Sequence, residues 1–167
     1  MTDLNERPFI AYLTAVDDQL EARFGKTSDQ RDLARIAQAQ EAGDTPKACA
    51  EALNRLFTIR ALNDALRARA GLPFFGRSQD RILITQGIAA LPPLDQIEIV
   101  AKVRAFEDFS DDNDPHGAHD FGNFEHAGKR IFWKIDYYDA ELAQGSEDPA
   151  DPEVTARVLT ILLALEW

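Results

Sequence analysis

The chain has 167 residues, a net charge of −11 and a mean hydropathy of −0.32, a size that predicts one domain, with or without a small appendage, and a core that needs no staples. The single Cys49 excludes an intramolecular disulfide, no apolar run approaches the roughly 18 residues of a membrane span, and no signal-peptide pattern opens the sequence, so a reducing cytoplasm and no membrane are expected. Residues 1–57 carry 7 basic and 10 acidic side chains, residues 58–105 carry 7 and 4, and residues 106–167 carry 4 and 15; so negative a last third disfavours direct nucleic-acid binding and suits a cation or a basic protein partner.

Phe9, Tyr12, Leu13, Val16, Leu20 and Phe24 recur at three- and four-residue steps, which predicts an amphipathic helix stopped by Gly25. Thr27 with Gln30 resembles a capping box ahead of a shorter helix through Leu33, Ile36 and Ala37 that ends at Gly43. Thr45 and Pro46 start a third helix, whose apolar face runs from Ala48 to Leu66 toward Gly71 and Pro73, and whose Cys49 is read as core filling. The pattern changes after Gly76: Arg81 to Gln86 reads as a short strand, Gly87 punctuates it, and Pro92 and Pro93 open a helix through Leu94, Ile97, Val100 and Phe106. Glu107 to Gly117 is an acidic, aperiodic loop.

Two aromatic and β-branched runs then flank Ala127 and Gly128 and predict a β-hairpin in which Glu125 faces Arg130 and His119 faces Asp136. Alternation puts Phe124, Ile131, Trp133, Ile135 and Tyr137 on an apolar face, and His119, Asn123, Glu125, Arg130, Lys134 and Asp136 on a polar one, with Phe121 and Phe132 among them. Asp120 falls on the apolar side, which demands a turn or a buried hydrogen bond there. After a polar loop, Asp151 caps an expected last helix, apolar nearly all round from Val154 to Leu165 and hence buried. The whole reads as an α+β chain: a helical N-terminal module over 1–57, then an α+β domain over 58–167 with a small antiparallel sheet, hairpin plus at least one further strand, packed on helices.

The segments DNDPHGAHDFG, KIDYYD and DPEVTARVLTILLALEW, in that order and preceded by LITQGIAALP, resemble an uncharacterised bacterial domain family carried on plasmids and other mobile elements. That resemblance covers about Ile59 to Trp167. Ala118 stands where members commonly carry Glu, and a site needing that carboxylate would be incomplete here. The opening helices resemble a short module found in front of other mobile-element proteins. The resemblance implies plasmid upkeep, transfer or the countering of host defence.

His116, His119 and His126 crowd within eleven residues beside Asp111, Asp112, Asp114 and Asp120, so a metal held by His116, His119 and Asp120 is one expectation. A calcium loop fails, because its twelfth position is Asn123; the alternative is an Asx turn before Pro115. A second expectation is a hydrolytic site, with or without an assisting metal, in which His119 is the general base, Asp136 orients it and Lys134 steadies negative charge, against the plainer reading of a solvated sheet face. A third is recognition of a nucleic-acid-handling host protein by Asp111, Asp112, Asp114 and Glu125, as an accessory protein that mimics nucleic-acid charge. A helix-turn-helix built on Lys47, Asn54 and Arg55 is opposed by Glu51 and acidic surroundings.

Overall fold

The computed structural model describes residues 7–72 and 79–167. Its chain divides into two compact units, one up to Thr58 and one from Ile59. Among the sequence expectations, Pro73 and Gly76 lie outside the described residues.

The first unit is helical. Helix α1 spans Arg7–Phe24 and stops where Gly25 takes φ +63°, the left-handed conformation that costs glycine nothing. Helix α2, Leu33–Glu41, is entered by a 3-10 turn at Gln30–Asp32 whose capping box uses Asp29 and Asp32, not the expected Thr27 and Gln30. The Asp29 carboxylate accepts the Arg31 N–H at 2.8 Å and the Asp32 carboxylate accepts the Asp29 N–H at 3.0 Å, so the same three-residue spacing is realised two residues further along. Gly43, at φ +82°, follows α2. Thr45 then accepts the Ala48 N–H at 3.2 Å at the start of helix α3, Pro46–Ala68. Val16, Leu20, Ile36, Cys49, Ala50 and Leu53 form this unit's core, so the thiol fills space as expected, and burial pushes its pKa up.

In the second unit α3 continues from Ile59. Strand β1, Arg81–Ile84, leads into the single turn α4, Gln86–Ala89, and then into α5, Pro93–Arg104. Gly87 therefore sits inside a helical turn and does not simply end a strand. Strands β2, Phe121–His126, and β3, Lys129–Tyr138, form the predicted hairpin, with Glu125 opposite Arg130. Ala127 and Gly128 take φ +49° and +72°, the paired left-handed residues of a tight two-residue turn.

The largest departure from expectation is the C-terminus. Residues 156–163 are not a helix but strand β4, Ala156–Leu163, in a mixed sheet of order β1-β4-β3-β2. It runs parallel to β1 and antiparallel to β3, so the sheet is not purely antiparallel. A strand at the centre of a sheet is covered on both faces and reads as a continuous apolar run, which periodicity alone does not separate from a buried helix. All but Thr160 of its residues are buried. The expected cap, Asp151, instead accepts the Glu153 N–H at 2.9 Å in a local turn.

Ile131, Trp133 and Ile135 from β3 and Leu159, Ile161 and Leu163 from β4 meet Leu66, Ile88, Ile99, Val103 and Phe106 in one core. The chain end is tied in by Glu166, whose carboxylate accepts from Thr85 Oγ1 at 2.6 Å, Gly87 N at 2.8 Å and Leu163 N at 2.9 Å. Those three donors hold its pKa below the usual carboxylate range.

Candidate functional site

In the second unit, α3 carries a polar stripe in a helix otherwise read for its apolar face. Arg60, Asn63, Asp64 and Arg67 fall at i, i+3, i+4 and i+7 and so share one side. That stripe grips the acidic loop. Arg60 Nε donates to the Gly117 carbonyl at 2.8 Å, Asn63 Nδ2 to the Ala118 carbonyl at 2.9 Å, and Arg67 Nη1 to the carbonyls of Phe106 at 2.6 Å and Val103 at 3.0 Å. Arg67 Nη2 also meets Asp64 Oδ1 at 2.7 Å.

His119 is held at the middle of this grip. Its backbone takes φ +56°, a left-handed conformation rare for a non-glycine residue, so the chain turns before β2 begins. Its N–H donates to Asp114 Oδ1 at 3.1 Å, and its ring stacks on Phe109 with centroids 3.7 Å apart and planes 1° from parallel. Nδ1 lies 3.1 and 3.0 Å from the two oxygens of Asp64. Burial raises the Asp64 pKa, but hydrogen bonds from His119 and Arg67 outweigh it and leave the carboxyl below its ordinary range. An ionised Asp64 can only accept, so Nδ1 of His119 carries a proton and donates to it. Nε2 is buried without a hydrogen-bond partner among the described residues; Asp114 Oδ2 is 3.9 Å away.

A second chain of polar groups crosses to the sheet. Asn63 Nδ2 donates to the Tyr137 hydroxyl at 2.7 Å, and that hydroxyl donates to Asp120 Oδ2 at 3.3 Å. Asp120 therefore has both of the alternatives alternation offered, a turn beside it and a partly buried hydrogen bond. Burial and then the Asp114 charge push its pKa up, against the Tyr137 hydrogen bond. Burial also raises the Tyr137 hydroxyl, with Asp120 adding to it. Arg157, only 1 % exposed, donates from Nε to Asn63 Oδ1 at 3.1 Å and from Nη2 to the Pro149 carbonyl, while Asp80 Oδ1 accepts its backbone N–H at 2.8 Å. Arg157 also lines a polar cavity of about 480 Å³ with Leu62, Gln79, Asp80, Pro152, Glu153 and Thr155.

The expected trio of His119, Asp136 and Lys134 is not assembled. The register of the ribbon is the predicted one, but pairing begins at Phe121, and the left-handed turn at 119 sends the imidazole to Asp64 instead of across to Asp136. Lys134 and Asp136 do meet, at 2.7 Å, as an ion pair on the other face, where Lys134 lies over Trp167 and Phe121, Phe132 and Trp167 pack edge to face. The expected metal set of His116, His119 and Asp120 does not converge as three donors among the described residues either. Of the expected partner-binding residues, Asp111 and Asp112 are exposed, Glu125 pairs with Arg130 at 2.8 Å, and Asp114 turns inward. Of Asp111, Asn113 and Asp114, expected to accept backbone N–H groups in an Asx turn, Asn113 Oδ1 accepts the Ser110 N–H at 3.0 Å, three residues back, and Asp114 Oδ1 accepts the His119 N–H five residues on, so neither bond has the two-residue reach of an Asx turn.

Asp95, Glu98 and His126 form the one group of three metal-type donors among the described residues. Its histidine is already satisfied. Lys102 Nζ lies 3.2 Å from Nδ1, and Nε2 lies 2.9 Å from Asp95 Oδ1. An ammonium can only donate, so Nδ1 accepts and Nε2–H donates to Asp95. The ring bridges α5 and the hairpin without an open nitrogen.

Two of these findings had a signal in the sequence. The 60-63-64-67 spacing is a helix-period polar stripe. The Gly in HDFG is the other: a Cβ on Gly122 would lie 2.6 Å from Trp133 Nε1 and 2.7 Å from Cε2 and Cζ2, so the indole fills the space glycine leaves.

A four-stranded mixed sheet packed on helices, with its acidic loop tied to α3 through a buried histidine, defines the second unit as an α+β domain. Residues 84–166 match the model of a family described as a protein of unknown function, DUF3768. No curated protein and no solved structure matches the chain.

Proposed function

We infer that this protein is a non-enzymatic accessory protein of a mobile genetic element, which binds a basic, nucleic-acid-handling protein through the acidic surface of its C-terminal third. The observation that carries this reading is where the few positive charges of that third are spent. Of its four basic residues, Arg157 is buried, Lys134 is paired with Asp136 and Arg130 with Glu125. Meanwhile Glu107, Asp108, Asp111 and Asp112 stand exposed on one short loop. Each of those pairs uses one carboxylate for each base and the buried Asp114 offsets the buried Arg157, so the third keeps its excess of negative charge, and such a field steers and selects basic partners. The resemblance to mobile-element domains supplies the biological setting.

The test is capture from bacterial lysate by the immobilised chain at low and high salt, with duplex DNA as competitor. Screening shortens the reach of charge from about 10 Å at 0.1 M to about 3 Å at 1 M salt, so a nucleic-acid-handling protein should be retained at low salt and released by either salt or DNA. Recovery of no such protein at low salt, or retention indifferent to both, contradicts the reading.

A further inference from the structure

Two arginines of the second unit are buried, Arg67 and Arg157, and they are compensated differently. Arg67 meets the Asp64 carboxylate at 2.7 Å. Arg157 has no carboxylate within ion-pair distance of its guanidinium among the described residues. Its Nε and Nη2 donate to two neutral acceptors, Asn63 Oδ1 and the Pro149 carbonyl, and its Nη1 has no acceptor there. Burial lowers its pKa, against the charge of Asp80. Buried charges are ordinarily paired, because an ion taken out of water loses more than neutral hydrogen bonds return. We propose that the polar cavity lined by Arg157, Asp80 and Glu153 binds a small zwitterion of the α-amino-acid class, with its carboxylate on the Arg157 guanidinium and its ammonium beside the two carboxylates.

The cavity supplies what such a ligand needs. Its volume of about 480 Å³ falls within the range of roughly 300–1,000 Å³ usual for small-molecule sites. A guanidinium recognises a carboxylate through its planar fork of N–H groups. The Arg157 fork is fixed before any ligand arrives, by Asn63 on Nε, by the Pro149 carbonyl on Nη2 and by the Tyr137 ring 5.8 Å from Cζ, and Nη1 is left to receive the carboxylate. A donor held in this way loses little freedom on binding. Asp80 and Glu153 decide between a plain anion and a zwitterion: they repel phosphate or sulfate and attract an ammonium. Leu62 and Pro152 add apolar wall for the carbon of a side chain. The site lies apart in sequence from the exposed loop assigned to partner recognition, and ligand binding here does not depend on that recognition.

The probes are the common α-amino acids, added singly at millimolar concentration to the intact chain, with acetate and inorganic phosphate as controls. Binding is read by thermal shift and by NMR of the arginine Nε–H signals, on the unaltered protein. At least one amino acid should raise the melting temperature and move the Arg157 Nε–H signal most. Acetate and phosphate should bind about tenfold more weakly or worse, the loss expected when a charged hydrogen bond is missing. Glu153→Gln alters an exposed carboxylate that makes no side-chain hydrogen bond among the described residues; it should melt with the parent and bind the amino acid about tenfold more weakly, whereas Glu107→Gln should bind as the parent does. Failure of every amino acid to move either signal overturns the proposal. So does phosphate binding as tightly as the best amino acid, or undiminished affinity in Glu153→Gln.

Discussion

Replacing Gly122 by alanine probes the packing of the sheet at its tightest point. The added methyl would start 2.6–2.7 Å from three atoms of the Trp133 indole, about 1 Å inside the normal separation of roughly 3.5–4.0 Å. The indole has little room to retreat: it is fully buried, with Phe106 edge-on at 5.4 Å, Phe109 edge-on at 6.2 Å and the Arg67 guanidinium 5.3 Å from its ring. Overpacking of this kind costs about 1–3 kcal/mol, and each kcal/mol lowers the midpoint of a domain near a hundred residues by about 4–8 °C. Thermal unfolding followed by near-ultraviolet circular dichroism should therefore show Gly122→Ala melting several degrees below the parent. In a Trp133→Leu background, which removes the opposing atoms, the same change should cost almost nothing further. A Gly122→Ala chain that melts with the parent, or one whose cost is the same in both backgrounds, refutes the contact.

Further consequences concern the buried charges and the last strand. Asp64 titrates below its unfolded value, so its contribution is present above the unfolded pKa and is lost as pH falls through the folded one. Asp64→Asn should accordingly be less stable than the parent at neutral pH, with the difference closing on acidification; urea midpoints at a series of pH values measure this. Asp120 shifts the other way: its folded pKa lies above the unfolded one, so stability declines as pH rises through that window, and Asp120→Asn should be at least as stable as the parent at neutral pH. Deleting residues 154–167 removes the central strand, whose large apolar side chains each contribute about 1.5–3 kcal/mol on burial. The truncated chain should be insoluble, and a soluble product with a cooperative melt contradicts the topology.

The hairpin was legible because its signal is local. Period-two alternation, Ala-Gly at the turn and the Glu125 to Arg130 pairing all follow from neighbours in sequence, and the first three helices were equally plain from their stripes and glycine stops. The terminal strand was not legible, since ARVLTILL is apolar on both faces and a run of that length fits a buried helix as well as a central strand. Only the arrival of β1 alongside it, more than seventy residues earlier in the chain, decides the matter. The candidate site failed for a related reason. Register placed His119 opposite Asp136 correctly as arithmetic, but a left-handed residue at the mouth of the ribbon redirects the imidazole by tertiary contact. Its actual partner, Asp64, is 55 residues distant, on a helix whose sequence carries no local sign of that long-range contact.

The functional reading stands on the exposed charges of one loop, Glu107, Asp108, Asp111 and Asp112. Converting these four to their amides leaves the described side-chain bonds of Asp64, Asp114 and His119 untouched, so the fold should persist while the field is reduced. Titrating the captured partner with parent and amide chains over a range of salt is decisive. The account predicts weaker binding by the amide chain and a shallower fall of affinity with salt, the two chains converging at high salt. Equal affinities with equal salt dependence would show that this loop does not recognise the partner.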